Sequence, residues 1–193
     1  MTSVDTTHTE TAGGVQPPAA CRQMVKVWDP FVRVFHWSLV ILFATAFLTG
    51  DESERFHLFA GYAIAALVAL RIVWGFIGTR YARFANFVKG PVAVAGFMRD
   101  TLRLKAPRYL GHNPAGGAMI LALLAMLIGL SVSGYLMTLD QYWGSQALED
   151  VHEALAYITL VLVALHVAGV VMAGIEHGEN LVASMITGRK RAE

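Results

Sequence analysis

A single cysteine, Cys21, stands in the whole sequence, so the chain forms no internal disulfide, no cysteine-based zinc site and no covalent C-x-x-C-H attachment of a haem. Charge is scarce as well. Asp, Glu, Lys and Arg make up 15% of the residues against 55% hydrophobic ones, which is too apolar for one soluble domain of this length. The few charges are sorted by loop and not gathered on one surface, so there is no footprint for nucleic acid. Residues 1–24 are polar, with Thr-rich, Gly-Gly and Pro-Pro stretches, and lack the apolar core of a secretory signal; they read as a disordered tail.

What the sequence does have is long apolar runs, at residues 34–50, 56–79, 109–139 and 154–175, the second broken only by Arg71. Each is about long enough to cross a hydrocarbon core of ~30 Å at ~1.5 Å per residue. The spacing leaves no room for a separate soluble domain. The expectation is an all-α membrane protein, a four-transmembrane-helix bundle over residues 25–188 in contact with membrane lipid, followed by a basic tail at 189–193.

Lys and Arg set the orientation. The segment before the first run carries Arg22, Lys26 and Arg33; the second loop carries Arg80, Arg83, Lys89, Arg99, Arg103, Lys105 and Arg108; the C-terminus carries Arg189, Lys190 and Arg191. The first loop has Arg55 beside Asp51, Glu52 and Glu54, and the third has Asp140, Glu149 and Asp150 with no cation. By the positive-inside rule both termini are cytoplasmic, which predicts a multi-pass protein of the bacterial inner membrane. Pro91, followed by apolar and basic residues interleaved to Lys105, reads as a short helix on the membrane surface or as a solvated basic loop. Asn113-Pro114 reads as the cap and first turn of the third span.

Ionisable side chains inside spans cost free energy that packing does not return, so they mark function. His36 lies near the cytoplasmic start of the first span, His57 at the outer start of the second, and His152 and His166 on the fourth. The last two are fourteen residues apart, about 21 Å along a helix and about 40° short of whole turns, so both rings face one way at opposite depths. Depth then pairs His36 with His166 and His57 with His152, since the crossed pairs would be roughly 20 Å apart along the membrane normal. Two imidazoles are too few for zinc but satisfy haem iron, whose other four nitrogens come from the porphyrin. The spacing thus predicts two non-covalent b haems, each between two histidines. Any one of these histidines taken alone reads equally well as an interfacial or interhelical hydrogen-bonding residue.

Arg71 lies fourteen residues after His57, on the same face and near the His36/His166 level, where a haem propionate is its natural partner and snorkelling to the interface the alternative. Gly61, one turn after His57, and Gly75, Gly134 and Gly169 leave room for a flat ring, although small residues recur wherever membrane helices pack closely. Trp37, Trp74 and Trp143 read as interfacial anchors. His112 reads as a wet interfacial histidine, or one touching a propionate or quinone. His8 and His177 stay unassigned.

His36-Trp37 after Pro30 and Arg33, His57 four residues before Gly61, Arg71 fourteen after His57, and His152-Glu153 fourteen before His166 give the chain a pattern that resembles the bacterial cytochrome b561 family and the related b-type cytochrome subunits of nickel-iron hydrogenases. The likeness covers roughly residues 26–190. It implies a four-helix bundle with two b haems, ligand positions at His36, His57, His152 and His166, and electron exchange between a membrane quinone in a respiratory chain and a redox protein such as a hydrogenase or a c-type cytochrome. Residues 109–119 look more like the hydrogenase-type or cytochrome-c-linked branch, while the short loops speak against a hydrogenase subunit. An electron-transfer protein is the first expectation, more an oxidoreductase subunit than a stand-alone enzyme. A superoxide oxidase that reduces quinone is the second, and a histidine-lined metal or proton transporter the third.

Overall fold

A computed structural model describes residues 23–50 and 52–192. The tail expected over residues 1–24 therefore lies almost wholly outside the described residues, His8 and Cys21 with it. Four helices long and apolar enough to cross a membrane form the body: α1 (Pro30–Thr49), α2 (Glu54–Ile77), α5 (Pro114–Met137) and α6 (Gln146–His177). Between α2 and α5 lie two short helices, α3 (Phe84–Phe87) and α4 (Pro91–Leu102); α7 (Leu181–Thr187) follows α6, and the strands β1 (Met24–Lys26) and β2 (Arg189–Arg191) flank the whole.

Local chemistry starts these helices. The Asp29 side chain accepts from the Val32 amide at 2.9 Å with Pro30 in the first turn of α1. Asn113 accepts from the Gly116 amide at 2.6 Å ahead of Pro114, as the sequence predicts for α5. In both, a short polar side chain satisfies an amide that the helix leaves without a partner. The basic second loop contains a helix, α4, which sets Phe97 inward and leaves Val92, Met98 and Leu102 exposed beside Arg99.

α1 packs on α2 and α5 on α6, and the two hairpins meet through α2 and α5. Phe35, Ile64, Val68, Leu124 and Leu127 form the buried core. Ile41, Leu48, Phe59, Phe76, Val161 and Ile175 point outward and are exposed, as expected where the surroundings are lipid and not water. α6 lies close along α5 but meets α1 through side chains, His36 with His166 and Phe47 with Tyr157.

One boundary differs from the sequence reading. α6 begins at Gln146, eight residues before the apolar run, so His152 sits in its second turn and not at its start. The polar residues Gln146, Glu149 and Asp150 escape a hydropathy criterion but are good helix company: Gln146 donates to the Asp150 carboxylate one turn on, at 3.0 Å.

At the end where α1 begins and α6 ends, β1 and β2 pair antiparallel with Val25 opposite Lys190, and the Val27 and Trp28 amides both donate to the Gly188 carbonyl. The basic residues 189–191 are thus joined to residues 24–26. Lys190 is buried, with Nζ donating to the Tyr109 carbonyl at 3.0 Å and lying 3.4 Å from Glu179, which also pairs with Arg108 at 3.2 Å. Burial raises the Glu179 carboxyl, but Lys190 and Arg108 more than offset this and hold it below the usual carboxylate range.

Candidate functional site

The four span histidines come together in two pairs at opposite ends of the bundle. His36 of α1 faces His166 of α6 with ring centres 6.4 Å apart, at the ribbon end. His57 of α2 faces His152 of α6 with ring centres 5.9 Å apart, at the far end. With metal–nitrogen bonds of about 2 Å, two imidazoles that share one iron have ring centres about 6 Å apart. Both pairs fit. Among the described residues no three of His, Cys, Asp and Glu converge, so a tetrahedral zinc-type cage has no donors here.

The far pair is held by its neighbours. The His57 Nδ1 lies 2.9 Å from the Ala46 carbonyl and the His152 Nδ1 2.9 Å from the Ser133 hydroxyl. Gly134 makes room for the second ring, since a Cβ there would stand 3.1 Å from His152 Cε1. Both rings line a cavity of about 70 Å³ together with Phe43, Phe47, Gly61, Ile64, Leu127 and Leu130. Gly61 is one turn from His57, and a Cβ there would enter open space. His57, His152 and Gly61 all belong to the lining of this largely apolar pocket. Gly75, which the sequence also offers as room for a flat ring, has another use: the Phe84 ring of α3 fills the space a side chain would take.

At the ribbon end the polar groups are less satisfied. Arg71 is buried, donates from Nη2 to the Ala82 carbonyl at 3.1 Å and lies 5.3 Å from the Phe84 ring centre, while its Nη1 is buried without a partner among the described residues. The His36 Nδ1 and Trp37 Nε1 are buried and unpartnered too. An unpaired buried guanidinium nitrogen is costly, and a carboxylate suits it. Trp74 sets its ring 4.8 Å from that of Phe31 at a tilt and donates to Asp29 at 3.3 Å, and Thr79 donates to the same carboxylate at 2.5 Å. Burial raises the Asp29 carboxyl, yet these donors and the Val32 amide hold it below the ordinary range.

His112 is not the wet interfacial residue of the first sequence reading. Its ring lies between Trp28 and Phe87, centres 4.6 and 4.8 Å away, with Nδ1 buried and unpartnered. Burial, with Arg71, Lys190 and His166 close by, pushes its pKa down to about 3. Ser133 and Ala46 had no sequence signal: a serine in an apolar helix and a backbone carbonyl acquire meaning only when the fold sets them against a histidine.

A family model described as prokaryotic cytochrome b561 matches residues 27–188. The chain is 24% identical to a probable Ni/Fe-hydrogenase B-type cytochrome subunit of Rhizobium leguminosarum bv. viciae, over 88% of this chain and 90% of that one. To the protein of the same description from Rhodobacter capsulatus it is 21% identical, over 88% and 82%. No solved structure matches significantly.

Proposed function

The chain belongs to the prokaryotic cytochrome b561 family, which makes it a haem b protein of membrane electron transfer in the bacterial inner membrane, and from that premise we propose that it holds two non-covalent b haems and relays electrons between a quinone pool and a redox protein partner. One observation carries the reading: two histidine pairs at iron-sharing separation stand at opposite ends of the bundle, on α6 positions about 21 Å apart. His36 and His166 are the ligands at the ribbon end, His57 and His152 at the far end, and Gly61 admits the macrocycle at the latter. Arg71 offers its free nitrogen to a propionate at the ribbon end. When bound, haem b supplies a one-electron iron centre. Held by an imidazole from each side, the iron would be closed to ligation by small molecules, and outer-sphere electron exchange is the chemistry it would supply.

The ribbon end is cytoplasmic by the positive-inside rule, since the N-terminal segment, second loop and C-terminus carry most of the cations. The relatives are described as hydrogenase subunits, which supports a hydrogenase-like partner at the far end, with a c-type cytochrome as the alternative. To test this, membranes containing the protein are challenged with superoxide while the haems are oxidised and, separately, with oxidised candidate partner proteins after the haems have been reduced with a quinol. A relay exchanges electrons with a protein partner. Haem reduction by superoxide near the diffusion limit of ~10⁸–10⁹ M⁻¹s⁻¹, with no exchange to any protein, would make it a superoxide oxidase instead.

A further inference from the structure

We propose that Ser133 and the Ala46 carbonyl tune the far-end haem, making it the lower in potential of the two; the inference rests on the ligand assignment just given. The Ala46 carbonyl can only accept, so the proton of His57 sits on Nδ1 and is donated to it. The Ser133 hydroxyl spends its own proton on the Gly129 carbonyl of its helix, at 2.8 Å, which leaves its oxygen to accept from His152 Nδ1. Both neighbours therefore fix the same tautomer. In each ring Nε2 is left as the bare donor for iron, and a hydrogen bond from the opposite nitrogen raises the basicity of that donor. A more basic pair of imidazoles stabilises the ferric over the ferrous state and lowers the potential.

The ribbon end differs at His36. Among the described residues His36 Nδ1 is buried without a partner, so its ring receives no such support there. The buried guanidinium of Arg71 stands at that end, and a nearby cation disfavours the extra positive charge of oxidised iron. Both differences raise the ribbon-end potential relative to the far end. An electron moving from the far to the ribbon end travels toward the negative side of an energised membrane, and a rising haem potential offsets that work.

The test is a potentiometric titration of the purified holoprotein, followed optically, for the wild type, Ser133→Ala, Ser133→Thr and His152→Ala, each with its haem count. Ser133→Ala is expected to keep two haems and to raise the lower midpoint alone, Ser133→Thr to return that midpoint toward wild type, and His152→Ala to leave one haem whose midpoint matches the higher wild-type value. Unmoved midpoints in Ser133→Ala, a shift of the higher midpoint instead, or loss of a haem from that variant would overturn the tuning role. A remaining midpoint in His152→Ala that matches the lower value would reverse the order. Two native haems in His152→Ala would overturn the ligand assignment itself, whatever Ser133 does.

Discussion

At the scale of the residue, four imidazoles and one guanidinium carry the argument, because each is expensive in an apolar helix and each meets a partner or a gap. His36→Ala and His152→Ala are each expected to reduce the haem content from two to one per chain, and the two single-haem proteins should differ in spectrum and potential. If both substitutions removed the same haem, the pairing would be wrong; pyridine haemochrome assays with low-temperature spectra decide. Arg71→Leu removes the bond to Ala82 and the free donor beside it, so it should shift the midpoint of the ribbon-end haem and leave the far-end one in place. The histidines and Arg71 were legible in the sequence because a polar atom in an uncharged run stands out. Their neighbours were not. His112 lies only two residues before Pro114, which suggested a wet loop, and nothing local says that Trp28 and Phe87 fold over it.

At the scale of the element, the spans were legible from apolar length and the α5 start from Asn113-Pro114, whereas the α6 start lay hidden in polar residues. The ribbon was illegible for a different reason: three-residue strands at the two ends of a chain carry no periodicity, and only their pairing makes them strands. That ribbon depends on Glu179. Glu179→Ala leaves Lys190 buried without its carboxylate, which costs about 3–5 kcal/mol for a fully buried pair; partial exposure of Arg108 and the Tyr109 carbonyl that Lys190 keeps reduce this to roughly 2 kcal/mol. Thermal unfolding of the solubilised protein measures it.

The pH dependence has one sign throughout this end. Asp29 and Glu179 have carboxyls held below their ordinary values, so their contribution is present above the unfolded pKa and is lost as pH falls through the folded one. His112, down to about 3 from 6.5, stays neutral while the unfolded chain takes up a proton, so stability falls in the same direction from about pH 6.5 downward. The unfolding temperature should therefore drop from about pH 6.5 downward through His112 and, below about pH 4.5, drop less steeply in Glu179→Gln than in wild type.

At the scale of the whole molecule, a small buried core lies inside a lipid-facing shell, and α6 contributes one histidine to each of two pairs at opposite ends of the bundle. The charge distribution predicts a cytoplasmic C-terminus. A green fluorescent protein fused to the C-terminus should fluoresce and an alkaline phosphatase fused there should be inactive; the reverse would turn the molecule over and exchange the faces assigned to quinone side and partner side. The central claim, two haems each held between two histidines, is tested most directly by haem content per chain in the purified protein together with its spectrum. The account predicts two non-covalent haems b per polypeptide, both low-spin with two imidazole ligands. A colourless protein from haem-sufficient cells, or one that carries a single haem at full occupancy, would contradict it.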